Sequence, residues 1–278
     1  MKILIILLSV LLFISCLFAS EFDENLQQLL EEDGKAYVKP LVTAYGSNLN
    51  SGLYNTADVL KPSILRPIRF GFTFHTMLAM IPSSDKTFEA SLVEGNTSTV
   101  FGDKGITGYP DGFNVSMLPL FVPQFRFGLP AGNELLVRYL PPLELQDYGD
   151  VTFWGVGLKH SIDQYIPLFP INLAVQGAYQ SFSVGELVDI TSFAVNAHAS
   201  KSLLMWTLYG GLGYEETTLK AKYDHISDPD PVEFEVKGDN NFRMTAGFRY
   251  AILPFIHLNA DYTISQYQVI TLGLGLSL

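Results

Sequence analysis

Six arginines occur in the chain, and five of them (Arg69, Arg126, Arg138, Arg243 and Arg249) fall between apolar neighbours in alternating segments, and Lys159 follows Leu158 in the same alternation. A guanidinium binds carboxylates and phosphates through two parallel hydrogen bonds. Such a set on one face therefore points to an anionic solute or a fatty-acid carboxylate. The competing reading is that these cations pair with carboxylates and fill a narrow interior; the acids expected on that face are Asp261, Glu233 and Glu235. Of the five histidines, His75, His198 and His257 share the same face. His160 and Ser161 are neighbours on one strand and point to opposite faces, so they do not form a nucleophile–base pair. The carboxylate-rich segment 224–231 lacks EF-hand spacing and reads as a solvated acidic loop. Gly210, Gly211 and Gly213 lack the lysine and the strand-to-helix setting of a phosphate loop. No catalytic, metal or cofactor motif stands out. The chain is read as a non-enzyme without a cofactor, and the named cations, histidines and Asp261 as candidates for a lumen or ligand path.

The elements that must position these residues read in period two, the signature of strands with two different faces. Ile68, Phe70, Phe72 and Phe74 alternate with Arg69, Gly71, Thr73 and His75; Phe193, Val195, Ala197 and Ala199 alternate with Asn196 and His198; Phe242, Met244, Ala246 and Phe248 alternate with Arg243, Thr245, Gly247 and Arg249. The segments run to about 10–13 residues, beyond the usual five or six, and match the length that crosses a bilayer as a tilted strand. Their less apolar face carries Gly, Ser, Thr, Asn, Gln and Arg rather than Lys and Glu, which suits a crowded polar lumen. Placing arginine on the lipid face at the midplane costs about 2–4 kcal/mol, which accounts for the parity. Ten strands are expected, at 68–80, 115–129, 134–143, 150–163, 171–183, 190–200, 203–222, 232–251, 256–265 and 267–278. Twelve is the alternative, because 36–45 and 86–93 read as strands too. With both termini periplasmic, the turns at 130–133, 201–202 and 252–255 are short and periplasmic, while 81–114 and 223–231 are the long outer connections. Tyr139, Tyr148, Trp154, Tyr165, Tyr179, Trp206, Tyr250, Tyr262 and Tyr267 recur near strand ends, as interfacial aromatic belts do.

Composition sets the outer limits. The chain has 278 residues and a net charge of −11, with 48 % apolar and only 16 % charged residues. An average soluble domain carries about 25 % charge. Clustered Lys/Arg is lacking, so nucleic acid is not an expected partner. Past residue 20 no apolar run reaches the ~20 residues of a membrane helix. Met1 and Lys2, an apolar core at 3–18, then Ala19 and Ser20 read as an export signal cleaved near residue 19. The single cysteine, Cys16, lies inside that signal, which excludes a disulfide framework and a cysteine zinc site. Residues 21–33 have an amphipathic helical pattern that Gly34 interrupts, and 36–45 carry a second apolar face. This N-terminal piece is expected to plug the lumen from the periplasmic side or to cap the barrel base.

The stretches 37–54 (YVKPLVTAYGSNLNSGLY) and 81–88 (IPSSDKTF) resemble an uncharacterised family of bacterial outer-membrane barrels, itself distantly similar to the long-chain fatty acid transporter (FadL) family. The resemblance implies a barrel with an N-terminal hatch and passage of hydrophobic molecules. The expectation is therefore an all-β, transmembrane, antiparallel up-and-down barrel in the bacterial outer membrane, divided as signal 1–19, plug or cap 20–66 and barrel 67–278. Its expected role is passive passage or binding of a small hydrophobic or amphipathic solute. The alternative is a non-transporting barrel that acts through loops 81–114 and 223–231. Expected partners are outer-membrane lipid, the barrel assembly machinery and a hydrophobic or anionic small solute.

Overall fold

The computed structural model describes residues 21–64, 67–145, 149–166, 168–225 and 231–278. The expected export signal, Tyr148 and most of the acidic loop at 224–231 lie outside the described residues. Thirteen strands follow one another: β1 (Phe70–Met80), β2 (Thr87–Glu89), β3 (Asn96–Ser98), β4 (Met117–Leu129), β5 (Asn133–Leu145), β6 (Gly149–Ser161), β7 (Asn172–Val184), β8 (Val188–Leu203), β9 (Trp206–Tyr223), β10 (Val232–Lys237), β11 (Phe242–Leu253), β12 (Ile256–Ile264) and β13 (Val269–Ser277). Ten of them form a closed antiparallel up-and-down barrel in the order β1-β4-β5-β6-β7-β8-β9-β11-β12-β13, with β13 returning to β1 through Gly71–Ser277 to Ala79–Val269. The twelve-strand alternative fails. Residues 36–45 are helical, and 86–93 supplies only β2, which pairs with β3 in a hairpin outside the ring.

The turns at 130–132, 204–205 and 254–255 lie at one mouth, called lower here, together with the start of β1 and Leu278. The 36-residue connection between β1 and β4 (81–116) and the β9–β10 connection lie at the upper mouth.

The wall has two storeys, and the inside of each mirrors its outside. Below, the outward face is apolar and the inward face polar. Outward residues of β9 run Trp206, Leu208, Leu212, Tyr214, and then change to Glu216, Thr218, Lys220 and Lys222. Nine residues at about 3.4 Å each, tilted about 40°, span about 23 Å, close to the ~25 Å apolar band of an outer-membrane barrel. Outward-facing Tyr139, Trp154, Tyr179, Phe193 and Tyr214 mark the upper edge of the band, and Trp206, Tyr250 and Phe255 the lower. At the same upper edge the inward face turns from polar to apolar on strand after strand. His75 gives way to Met77, Gln124 to Val122, Arg138 to Leu140, Gln180 to Phe182, Ser192 to Ile190, Thr217 to Leu219 and Thr271 to Val269. Above it the molecule is built like a soluble domain, with an apolar core and a charged exterior of Glu186, Asp189, Lys220, Lys222, Glu233 and Glu235. Tyr267 belongs to that core: it is fully buried and donates to Asp85 at 2.7 Å, so it is not part of an outer belt.

Helix α1 (Glu31–Leu49) occupies the upper storey. Residues 21–26 are helical too, and the break falls at 27–30 rather than at Gly34. Gly34 lies inside α1 at a close approach, where Tyr223 Oη and Phe234 would stand 2.9 and 3.1 Å from a Cβ. Val38, Val42 and Ala44 pack against Ile190, Leu219, Phe234 and Val236 of the overhanging strands. Residues 81–116 fold over the top. Val100 donates its N–H to the Tyr37 carbonyl at 3.1 Å, and Ser91 and Tyr109 donate to Asp33.

Candidate functional site

From the end of α1 the chain descends through the lumen and leaves at the lower mouth, and the candidate lumen residues meet it on the way. Arg138 stands where the storeys join. Its Nε donates to Gln124 Oε1 at 2.8 Å, Nη1 to the Leu49 carbonyl at 2.5 Å and Gln180 Oε1 at 2.9 Å, and Nη2 to the Ser51 carbonyl at 2.8 Å. A cation there satisfies the carbonyls that a helix C-terminus leaves open and sits on the negative end of its dipole. Arg243 pairs with buried Glu215 and donates to Ser51 Oγ at 2.7 Å. Asn50 donates to Ser192 at 2.8 Å and Gln180 Nε2 to the Leu49 carbonyl at 2.7 Å.

At mid-lumen the Tyr54 ring lies flat on His198, 4.0 Å away, and edge-on to Tyr209, whose hydroxyl donates to Asp261 at 2.8 Å. Thr56 and Ser200 hydroxyls are 3.2 Å apart, and Asn55 donates to Asn259 at 3.3 Å. At the lower mouth Glu134 receives Lys159 at 2.8 Å, lies 3.6 Å from Arg126 and accepts the Leu60 N–H at 2.9 Å. Arg249 donates to His257 at 3.2 Å. Gly52 makes the turn below the helix at φ +66°, with His75 Nδ1 3.0 Å from where a Cβ would sit. A side chain there would meet both strain and a ring. Both ring nitrogens of His75, and the Thr73 hydroxyl, have no hydrogen-bond partner among the described residues.

Nine of the ten candidates (His75, Arg126, Arg138, Lys159, His198, Arg243, Arg249, His257 and Asp261) thus line the lumen. Arg69 does not. It is half-exposed on the lower rim and donates to the Leu278 carbonyl at 2.9 Å. Glu233 and Glu235 are also displaced from the interior. Residues 238–241 stand opposite 215–217, one residue too many, so the β10–β11 path is bulged and its facing flips. Above the bulge Phe234 and Val236 point in and the two glutamates point out. The carboxylates that enter the lumen are Glu134, Glu215 and Asp261. The sequence reading missed the first two, although parity could have found them: Glu134 shares the face of Arg138, and Glu215 lies opposite the face of Leu212 and Tyr214.

Five cations thus meet three carboxylates in the lumen. The donors of Arg138 are turned on the chain itself, so with α1 seated this guanidinium offers no free fork to a solute. Outside the spanning strands, burial and the nearby charges of Asp224 and Glu24 raise the Asp23 carboxyl above its ordinary range. Burial and the bond to Asp85 push the Tyr267 hydroxyl well up. Among the described residues no group of three or more His, Cys, Asp or Glu is placed to hold a metal ion.

A closed ten-stranded up-and-down barrel, polar within and apolar around its lower storey, is the outer-membrane type of barrel. The chain belongs to the family of unknown function DUF6588, whose profile matches residues 1–278. No curated protein matches the sequence. Among solved structures it is similar to Ail, the attachment invasion locus protein of Yersinia pestis (12 % identity, 76 % of this chain and 97 % of that one, TM-score 0.29). It is also similar to Neisserial surface protein A (10 %, 76 % and 95 %, TM-score 0.28) and to the beta domain of the Bordetella autotransporter BrkA (10 %, 76 % and 98 %, TM-score 0.36).

Proposed function

We propose that this protein is an outer-membrane barrel held shut by its own N-terminal segment, and that its outer dome, topped by residues 81–116, is the surface that meets partners. The observation that carries the reading is the lumen itself, occupied from Leu49 to Leu60 by chain fastened to Arg138, Arg243, Lys159 and Glu134. The membrane assignment rests on the apolar lower exterior: Val156, Leu158, Val195, Leu212, Leu272 and Leu274 are all exposed, and soluble monomers rarely show apolar patches beyond a few hundred Å². The test is conductance of the refolded chain in a planar bilayer. Silence is expected from protein that is folded and heat-modifiable, and a steady ohmic current would overturn the plugged reading.

A second reading, passage of a hydrophobic or amphipathic solute after the segment shifts, draws on one observation. The interface between segment and wall is polar and leaves His75 and Thr73 unpaired, so water can replace its bonds at modest cost. The resemblance to fatty-acid transporters supports the same reading. Uptake of a fluorescent long-chain fatty acid into vesicles carrying the protein, above that of empty vesicles, would favour it.

A further inference from the structure

The N-terminal segment enters the barrel at the mouth opposite its exit. Leu29 accepts from Tyr223 Oη at 2.9 Å, and Tyr223 ends β9 at the upper mouth. Asn25 donates to Tyr37 and to the Asp111 carbonyl of the long upper connection. Phe22, Leu26 and Leu29 are buried in the apolar core of the dome. From there α1 runs inward, Ser51 meets Arg243, Thr56 meets Ser200, and Leu60 meets Glu134 beside the β4–β5 turn. Only then does the chain reach Phe70 and begin β1, next to Leu278. The segment, expected to plug from the periplasmic side, thus enters at the mouth of the 36-residue connection.

We infer that residues 21–30 lie on the cell surface, and that the barrel carries its own N-terminal end through its lumen to the outside. The inference rests on the membrane reading above. Outer-membrane barrels keep short turns in the periplasm and longer loops outside. Here the lower mouth holds connections of two and three residues and the ten-residue 162–171, and the upper one holds the 36-residue connection. The charged exterior and apolar interior of the upper storey place that storey in water independently of loop length. Any polypeptide or label joined ahead of residue 21 is then displayed beside residues 81–116. The barrel acts as an anchor with an exit port as well as a closed wall.

The test uses the full chain with Cys16 replaced by Ser, carrying one new cysteine at a time: Gln28→Cys on the segment, Leu92→Cys on the upper connection or Leu168→Cys at the lower mouth, all three exposed sites. A membrane-impermeant maleimide is applied to intact cells and to permeabilised cells. Gln28→Cys and Leu92→Cys are expected to label to the same extent on intact cells, and Leu168→Cys at least tenfold less until permeabilisation. Labelling of Gln28→Cys that follows Leu168→Cys while Leu92→Cys reacts from outside would overturn the inference and leave the membrane reading standing. Labelling of Leu168→Cys alone from outside would invert the barrel and overturn both. Threading is read separately by the pair Thr56→Cys and Ser200→Cys, whose parent hydroxyls are 3.2 Å apart. A disulfide is expected to form in the refolded protein, and its absence would remove the threaded path.

Discussion

Arg138→Met is the sharpest probe of what holds the segment in place. The guanidinium makes four hydrogen bonds, two of them to backbone carbonyls of the segment. After the change, the Leu49 carbonyl keeps its bond from Gln180, while the Ser51 carbonyl, Gln124 Oε1 and Gln180 Oε1 lose theirs. Each acceptor left dry costs about 1–3 kcal/mol. The thioether chain and relief from burying a charge return about 1–2 kcal/mol. A net loss of about 2–7 kcal/mol follows, a large part of the ~5–15 kcal/mol that a folded domain holds in total. The assay is reversible urea unfolding in phospholipid vesicles, followed by Trp154 and Trp206 fluorescence. Arg69→Met on the rim serves as the control and is expected within about 0.5 kcal/mol of the parent. The same Arg138→Met sample should show brief channel openings in a bilayer where the parent is silent. A loss under about 1 kcal/mol, or one equal to the rim control, would refute the argument that Arg138 fastens the segment.

Three further outcomes are expected. Gly46→Ala, a change that normally strengthens a helix by ~1 kcal/mol, should destabilise this one by about 1–3 kcal/mol, because the new methyl would run into Thr217 and Asn240; urea unfolding reads it. Ala199→Arg, outward at mid-band opposite Gly210, should cost about 2–4 kcal/mol, and Thr218→Arg, outward above the band, close to none; equal costs would move the membrane boundary. Asp23 has a raised carboxyl in the docked segment. Docking of residues 21–29 is therefore strongest while Asp23 is protonated and weakens as pH rises from the ordinary carboxylate range through the raised one. Hydrogen exchange in that stretch should speed up across this interval, and Asp23→Asn should flatten the profile.

Ten strands, their antiparallel order and the inward turn of nine cations, histidines and acids were legible because alternation survives along most of the wall. What the alternation concealed is instructive in two places. On β8 the apolar residues change parity, from Val188 and Ile190 to Phe193 and Val195, while the strand itself stays continuous. The backbone does not slip; the surroundings exchange, with water outside and core inside above, and lipid outside and lumen inside below. On β10 and β11 the reverse occurs. Phe234, Val236, Phe242 and Met244 keep one parity, and the bulge at 238–241 turns the strand over between them. A pattern reading that assumes one continuous strand in one environment misplaces Glu233 and Glu235 for that reason. The direction of the N-terminal segment was illegible, because it is set by contacts such as Asn25 with Asp111 and Leu60 with Glu134, more than 70 residues apart.

Residues 31–62 are tethered at both mouths, which has a consequence for the order in which the molecule assembles. A ring already sealed could admit this chain only by drawing its free end lengthwise through a lumen crowded with side chains. The open sheet, in contrast, can curl around α1 and the descending segment while they lie against its inner face. The seam where Gly71 meets Ser277 joins residues about 200 positions apart and has the largest chain-closure entropy of any pairing in the wall. On that ground it is expected to close last, with wrapping rather than insertion as the event that makes the barrel.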